Sequence, residues 1–241
     1  MPAPRLGFES RHVRLEPLAP EHVEALVRAA TADRSTFGLA PIPRDRAEME
    51  AYVAAALADE QAGRALPFAV IAPTAVLRAE ASSARQSEHG GSGNPPGVPE
   101  RIVGSCRLMN LEWWSWPPGP LHVPGEPRRA EAGDPPDVAE LGHGWLAPSA
   151  QRTTVFSATS LLLLQHAFET WRVHRLVLKT DARNARSRGA IERLGGRFEG
   201  ILRAHLPAAD GVVRDTAMYS IVRDEWQSVR KRLESSLAGT L

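Results

Sequence analysis

The sequence between residues 140 and 196 decides the fold. It reads ELGHGWLAP (residues 140–148), QRTTVFS (151–157), LVLKTDARN (176–184) and SRGAIERLGG (187–196), with a leucine-rich segment after QRTTVFS. This order places a polar loop and a helix start between two strand-like segments. The first N–H groups of a helix have no partner within the helix, and the aligned peptide dipoles add a partial positive charge there. The pattern therefore predicts a site for an anionic ligand such as a phosphate.

Length and composition favour one sizeable core. The chain has 241 residues, of which 43% are hydrophobic and 24% are charged, and its formal net charge is +1. We expect a single domain over residues 1–241, with loop insertions near residues 73–100 and 114–139. A charge so close to neutral, without runs of like charge, argues against a nucleic-acid partner.

The sequence also bounds the compartment and the metal chemistry. Its start lacks the apolar core of a signal peptide, and no apolar stretch reaches the roughly 20 residues that cross a bilayer. We therefore expect a cytoplasmic protein without a membrane partner. The single cysteine, Cys106, excludes an internal disulfide and a cysteine-based zinc site, so no metal is expected.

The amino-terminal half alternates between short strand-like and helix-like segments. Residues 12–17 alternate as in a strand, and residues 20–30 and 46–62 carry apolar side chains at helical spacing. Residues 67–72 and 101–108 are short apolar runs, which we expect to pair as an antiparallel hairpin.

The carboxy-terminal half contains two further helix patterns and a strand pair. Residues 157–171 have a broad apolar face that suits burial against a sheet. Residues 185–194 predict a shorter amphipathic helix, with Gly195 as a left-handed stop. Residues 198–205 and 215–222 are expected to form the last strand pair, joined through a turn at AADG.

Two insertions interrupt these elements. The segment at residues 73–100 is rich in Ala, Ser, Gly and Pro, which predicts a mobile loop. Three tryptophans, Trp113, Trp114 and Trp116, lie at the entrance of the second insertion. Either they cap one end of the sheet, or they line an acceptor pocket or a subunit contact.

Four pieces of the chain together resemble a known superfamily. They are RHVRLEPLAPEHVEAL (residues 11–26), WLAPSAQRTTVFSATSLLLLQHAFE (145–169), KTDARNARSRGAIERLGGRFEGILR (179–203) and RDTAMYSIVRDEW (214–226). In this order they resemble the GNAT acetyltransferases, and within them the branch of the ribosomal-protein N-terminal acetyltransferases (RimJ/RimL type). The resemblance implies a mixed α/β fold, with a twisted, mostly antiparallel sheet, a splayed central parallel strand pair and flanking helices.

The resemblance also implies acetyl-CoA as the co-substrate. The pantetheine arm would lie along residues 144–147, and the pyrophosphate would meet the N–H groups of residues 152–157, with a charge-assisted contact from Arg152. The residues expected to contact the cofactor are Leu146, Ala147, Gln151, Arg152, Thr153, Thr154, Val155, Phe156, Ser157, Asn184 and Ser187.

The acyl-CoA loop departs from the family pattern. That pattern, Gln/Arg-x-x-Gly-x-Gly/Ala, falls on residues 151–156, where Gln151 matches but Thr154 replaces a glycine and Phe156 replaces a small residue. Glycine allows close approach of the backbone to a phosphate and a positive φ, whereas threonine is stiff. The approach is therefore expected to be partly closed, although the Thr154 hydroxyl could itself donate to a phosphate oxygen.

Asn184 and Ser187 match the family's Asn-x-x-Ser pattern. In that pattern the asparagine hydrogen-bonds the cofactor arm, and the serine lies near the sulfur at the start of a helix. Both residue types also cap helices, which is the alternative interpretation.

Acetyl transfer to an amine needs a base and a proton donor. A protonated alkyl amine, with a pKa of roughly 10, must lose a proton before it can attack a thioester. Glu140 is the first candidate base, although it could equally be a solvated strand end. His143 has the more suitable intrinsic pKa, but strand alternation is expected to place it on the opposite face from Glu140. Ser187 or Tyr219 could protonate the leaving thiolate, and Tyr219 could instead be a core residue.

These features predict an N-acetyltransferase that forms a ternary complex with acetyl-CoA and a primary amine. The acceptor would be a protein N-terminus or a small molecule, and direct transfer is expected because no nucleophile for a covalent intermediate is evident. The alternative is a catalytically weak GNAT-fold module with impaired acetyl-CoA binding that acts in recognition or assembly. The resemblance is also consistent with a homodimer.

Overall fold

The computed structural model describes residues 6–77, 100–116 and 134–239. Within them, eight strands form one sheet in the order β1-β2-β3-β4-β5-β6-β8-β7. Only β5 and β6 are parallel, and every other neighbouring pair is antiparallel. The strands are β1 Phe8–Ser10, β2 Val13–Pro17, β3 Ala65–Pro73, β4 Glu100–Glu112, β5 Val138–Leu146, β6 Arg175–Asp181, β7 Arg197–Pro207 and β8 Val213–Val222. The predicted mixed α/β class and both predicted antiparallel strand pairs are confirmed.

Four of the five long helices begin and end close to the predicted positions because local signals define them, and the fifth, Trp226–Ala238, was not predicted. The helices are α1 Val23–Thr31, α2 Arg46–Gln61, α3 Thr154–Gln165, α4 Ala185–Leu194 and α5 Trp226–Ala238. Side chains of Asp45, Thr153 and Asn184 cap α2, α3 and α4. A π-helical stretch, His166–Thr170, extends α3. Gly195 ends α4 with a φ of 111°, as predicted.

Apolar side chains cover both faces of the sheet. On one face, α1 and α2 bury residues such as Leu26 and Met49 together with Trp145 of β5. On the other face, the leucine-rich α3 and the amphipathic α5 bury Leu163 and Leu233 in the larger core cluster. Burial on both faces stabilises β3, which is hydrophobic along its length.

The central parallel pair is splayed, as expected. Backbone pairing joins β5 and β6 only from Val138–Arg175 to Glu140–Val177. Beyond that point β5 continues to Leu146 and β6 to Asp181, and no further pairing joins these two strands. Beyond Glu140, β5 therefore has an edge that does not pair with β6, where a ligand could add as a strand.

A β-bulge in β5 accompanies the divergence. Trp145 pairs with Ser105 and Gly142 with Arg107, so that His143 and Gly144 together oppose a single residue of β4. His143 adopts a φ of 47°, which few non-glycine residues do. The extra residue resets the alternation, so that residues three apart across the bulge share a face.

The insertions lie largely outside the described residues. Residues 78–99 and 117–133 are not among them, so the predicted loop order stays a prediction. Trp114 stacks on His174 with ring centroids 5.4 Å apart, beside the paired ends of β5 and β6. The location of this end, opposite to the splay, supports capping of the sheet rather than an acceptor pocket, and the subunit contact stays a prediction, since Trp113 and Trp114 are exposed. No helix among the described residues is long and apolar enough to cross a membrane.

Candidate active site

The candidate site lies where β5 and β6 diverge. After β5 the chain makes a short helical turn and enters α3 at Thr154, and after β6 it enters α4 at Ala185. Two helix N-termini therefore follow the diverging ends of the two strands. Their first N–H groups and their dipoles favour an anion at this end of the sheet.

Gln151 ties the loop before α3 to three other elements. Its Nε2 donates to the carbonyl of Leu146 at 2.8 Å and to Oγ1 of Thr36 at 2.8 Å. Its Oε1 accepts from Nη1 of Arg186 at 3.1 Å. Gln151 thus positions the loop, and its side chain is engaged by the protein.

Arg186 was not identified from the sequence. It lies in the first turn of α4, between Asn184 and Ser187, and its contact with Gln151 brings a guanidinium to the loop that precedes α3. The available signal was its place inside the Asn-x-x-Ser pattern. Arg186 reaches the loop before α3 because the starts of α3 and α4 lie close together. The sequence alone does not show this proximity.

The loop has a different conformation from the one that the family pattern suggested. Arg152, with a φ of 61°, is the left-handed residue, and Thr154 is already helical. Threonine at position 154 therefore carries no penalty for positive φ, which corrects that part of the expectation. Thr154 is only 9% exposed, and Phe156 packs against the core. Both side chains point into the protein.

Thr153 and Asn184 act as helix caps. Thr153 Oγ1 accepts from the N–H of Val155 at 3.2 Å and donates to the carbonyl of Ala150 at 2.7 Å. Asn184 Oδ1 accepts from the N–H of Ser187 at 3.0 Å. The cap uses the oxygen of the Asn184 amide, and its NH₂ group is a donor suited to a ligand.

Glu140 is buried and ion-paired. It is 5% exposed, and its Oε2 accepts from Asn110 Nδ2 at 2.7 Å and lies 2.8 Å from Lys179 Nζ. The interpretation as a solvated strand end is therefore wrong. Its carboxylate is thus engaged by side chains from both neighbouring strands, β4 and β6.

His143 lies on the same side of the sheet as Glu140, contrary to the expectation from alternation. Its ring centroid is 6.2 Å from that of Tyr52 on α2, and the Tyr52 hydroxyl is 3.4 Å from the His143 carbonyl oxygen. The β-bulge at His143 and Gly144 causes this placement, because its extra residue shifts the alternation of side chains along β5.

Protein surroundings lower the pKa of His143. The main cause is burial of the ring among protein groups, followed by the positive charge of Arg107. Lys179 acts in the same direction, whereas Glu140 and Asp59 raise the pKa and do not cancel the decrease. The residue is nevertheless exposed to solvent. The ring is therefore held neutral in the neutral pH range.

Arg107 and Tyr52 form the wall behind His143. Arg107 is 3% exposed, its guanidinium carbon lies 4.5 Å from the centroid of the Tyr52 ring, and its Nη2 donates to the Tyr52 carbonyl at 3.3 Å. Tyr52 also donates to Ser105 Oγ at 3.2 Å. These contacts fix the position of the Tyr52 ring.

Tyr52 also lines a cavity of about 610 Å³. The cavity lies between the α1–α2 connection, including Phe37 and Ile42, the start of α2, and Ala209 in the β7–β8 turn. Tyr52 is the lining residue that also lies beside His143, with the two ring centroids 6.2 Å apart.

Tyr219 is placed apart from the other candidates. It is fully buried, and its hydroxyl donates to Glu192 Oε1 at 3.1 Å and accepts from Arg188 Nε at 2.9 Å. It pairs with Leu178, the neighbour of the residue that pairs with Glu140, and therefore lies on the opposite face. This location contradicts a role as proton donor and matches the alternative, a core residue.

No group of metal-ligating side chains occurs among residues 6–77, 100–116 and 134–239. The splayed parallel pair, with a helix that begins after each of its strands, defines the class of fold: the acyl-CoA N-acyltransferase fold.

Comparisons with known proteins agree with this class. A family model for the acetyltransferase (GNAT) domain matches residues 12–197. The “Putative ribosomal N-acetyltransferase YdaF” of Bacillus subtilis (strain 168) is 30% identical over 89 residues, which are 37% of this chain and 48% of that protein. The match thus spans about half of that relative's length.

Solved structures share the fold over nearly the whole chain. A GCN5-related N-acetyltransferase from Brucella melitensis has a TM-score of 0.68 and 26% identity, covering 97% of this chain and 86% of that chain. RimJ of Mycobacterium smegmatis in complex with CoA-disulfide has a TM-score of 0.62 and 21% identity, covering 93% and 88%. The chain belongs to the GNAT acetyltransferase family, a family of acyltransferases.

Proposed function

We propose that this protein is an N-acetyltransferase that uses acetyl-CoA as co-substrate and transfers the acetyl group directly to a primary amine in a ternary complex. The observation that carries the proposal is the unpaired part of β5 beyond Glu140, which lies beside the N-termini of α3 and α4. It combines a free strand edge for an amide-containing arm with an anion site.

We assign the cofactor contacts on the same geometry. The pantetheine arm lies along residues 144–147, with Leu146 as the backbone partner, because the N–H of Ala147 already donates to the Val103 carbonyl at 2.7 Å. The pyrophosphate lies against the N–H groups of residues 152–157, with Arg152 and Arg186 as cations. Asn184 and Ser187 lie at the start of α4, where Ser187 is the remaining hydroxyl candidate for protonating the thiolate. The proposal includes no metal.

Packing of the loop favours a working cofactor site over the recognition module. The module was the alternative because Thr154 and Phe156 were expected to obstruct the pyrophosphate. Both side chains are directed into the protein, which supports an open loop. The CoA-disulfide bound by the M. smegmatis structure, whose fold this chain shares, supports the choice of ligand.

The acceptor class that fits is a protein N-terminus. The name of the B. subtilis relative points to ribosomal proteins. The cavity beside Tyr52 is open to the surface between two loops, which suits an extended peptide entering amino terminus first. We place the activity in the cytoplasm, where such peptides are made.

The test has two stages with the full chain. Isothermal titration calorimetry with acetyl-CoA alone is expected to show binding in the micromolar range. Thiol release is then measured with peptides that carry a free or a chemically blocked N-terminus, and with small amines. Turnover with free peptides only supports the proposal. Absence of acetyl-CoA binding would restore the recognition module, and turnover with small amines alone would reassign the acceptor.

A further inference from the structure

We propose that His143 is the catalytic base that takes the proton from the acceptor amine, and that Tyr52 and Arg107 are positioning residues for it. Glu140 then serves to anchor β5 to β6. This inference rests on the proposed function and names the proton acceptor of that same site.

Glu140 is poorly placed to receive a proton. Its Oε2 lies 2.8 Å from Lys179 Nζ and 2.7 Å from Asn110 Nδ2, and the side chain is buried. The residue is also paired with Val177 at the last rung of the parallel ladder, before the cleft opens.

His143 lies three residues beyond Glu140 on β5, in the part of the strand that no longer pairs with β6. The bulge and the left-handed backbone at this residue lift its side chain out of the regular strand pattern. Non-glycine residues in this conformation carry a conformational cost, and such residues cluster at functional sites. The ring lies against Tyr52, which also lines the cavity proposed for the acceptor. In the proposed complex the acceptor amine passes Tyr52 and reaches the imidazole at the edge of β5.

The charges around His143 come from four elements. Arg107 on β4 and Lys179 on β6 are positive, and Asp59 on α2 and Glu140 on β5 are negative. Together with burial they lower the pKa of the imidazole. A neutral imidazole has a lone pair that can accept a proton, which an imidazolium does not.

The proposed step is balanced in protons and electrons. The ammonium group of the acceptor gives one proton to the free ring nitrogen of His143. The nitrogen lone pair so released forms the C–N bond at the thioester carbonyl carbon, and the C–S bond breaks with its electron pair on sulfur. A second proton from the same nitrogen ends on the thiolate, through Ser187 or water. The imidazolium returns its proton to solvent.

The decisive variant is His143→Asn. Asparagine adopts the left-handed region readily, so the bulge is preserved while the base is removed. We expect kcat to fall by about 10²- to 10³-fold, the usual contribution of a general base. The acetyl-CoA dissociation constant is expected to stay unchanged, because His143 faces the acceptor. In the wild type, kcat/KM should fall as the pH drops through the His143 pKa, and this acidic limb should vanish in the variant.

Glu140→Gln is the matched comparison, and it should retain the acidic limb. Titration of the histidine ¹³Cε1 resonances, with His143 assigned by its loss in the variant, should give a pKa that coincides with that limb. A His143→Asn enzyme with wild-type kcat and an intact acidic limb would overturn the inference while leaving the proposed function standing. A wild type that transfers acetyl to no amine would overturn both.

Discussion

The carboxylate of Glu140 lies 2.8 Å from the ammonium nitrogen of Lys179, across the two parallel strands. Glu140 pairs with Val177, and Lys179 lies two residues further along β6, where the backbone of β6 no longer pairs with β5. The ion pair therefore links the strands at the point of divergence. It stabilises the closed part of the pair and leaves the rest of β5 free for a ligand.

Removing the cation should destabilise the fold. We expect Lys179→Met to lower the free energy of unfolding by about 3 kcal/mol, since it leaves a buried carboxylate with one amide partner. Urea unfolding measures the change. The matched control is Lys231→Met, which changes an exposed lysine of α5 and should stay within about 0.5 kcal/mol of wild type. The double change Glu140→Gln with Lys179→Met should recover part of the loss, and no recovery would contradict the pairing.

Thr154→Gly should leave acetyl-CoA affinity within about 3-fold of wild type, because less than 1 kcal/mol of contact with the ligand is at stake. The side chain is buried at the start of α3 and does not face the phosphate site. The fold should lose about 1 kcal/mol, since glycine is a poor helix residue. Calorimetry with acetyl-CoA decides, and a gain of two orders of magnitude would show that the loop had been obstructed.

Arg186→Ala should weaken acetyl-CoA binding by about 10-fold, as expected for one exposed charge-assisted hydrogen bond. The loss should shrink at high salt, and binding of a pantetheine analogue without phosphates should not change. Arg193→Ala, near the other end of α4, is the control for general loss of charge. Equal losses for CoA and for the analogue would mean that Arg186 acts by holding Gln151.

Stability should decrease as the pH falls below neutral. Burial lowers the pKa of His12 and of His166, and Arg11 lowers that of His12 further. The unfolded histidines titrate near a pKa of about 6.5, so below this value the unfolded chain binds more protons and is favoured. The stabilisation is complete above about pH 7 and is lost as the pH drops toward the lower folded-state values.

His166→Phe isolates one of these histidines. Its ring lies between Phe8 and Trp171, at centroid distances of 5.1 and 4.7 Å, where an aromatic ring can be accommodated. Urea unfolding should show that the free energy of unfolding decreases less in the variant than in the wild type between about pH 7.5 and pH 5.5. Above about pH 7.5 the difference between the two proteins should be constant, and a constant difference at all pH values would contradict the prediction.

The predicted homodimer should form through β7. Among the residues that the structure describes, this strand pairs with β8 alone, and its large apolar side chains Phe198, Ile201, Leu202 and Leu206 are exposed. An uncovered edge of this kind is suited to association. Light scattering after size exclusion should give a dimer for the wild type and a monomer for Leu202→Lys, with Arg203→Lys as the control. A monomeric wild type would refute it.

Local features of the sequence were sufficient for most of the elements, although β1 and α5 were not predicted. Apolar side chains at helical or alternating spacing predicted the helices and the antiparallel pairs, and Asn184 and Gly195 marked both ends of α4. These signals act between residues close in the chain, where capping and left-handed stops are decided. The motif order was likewise sufficient for the family and for the splayed parallel pair.

Only the tertiary structure decided the roles of the candidate residues. The bulge at His143 depends on how β5 pairs with β4, so alternation within β5 alone assigned the wrong face. Lys179 and Asn110 reach Glu140 from two other strands, and Tyr219 is buried by its partners across the sheet. A side chain's burial and its charged partners depend on neighbours distant in sequence. For that reason the sequence determined the family and the fold, while the structure decided which candidate side chains are engaged by other groups of the protein.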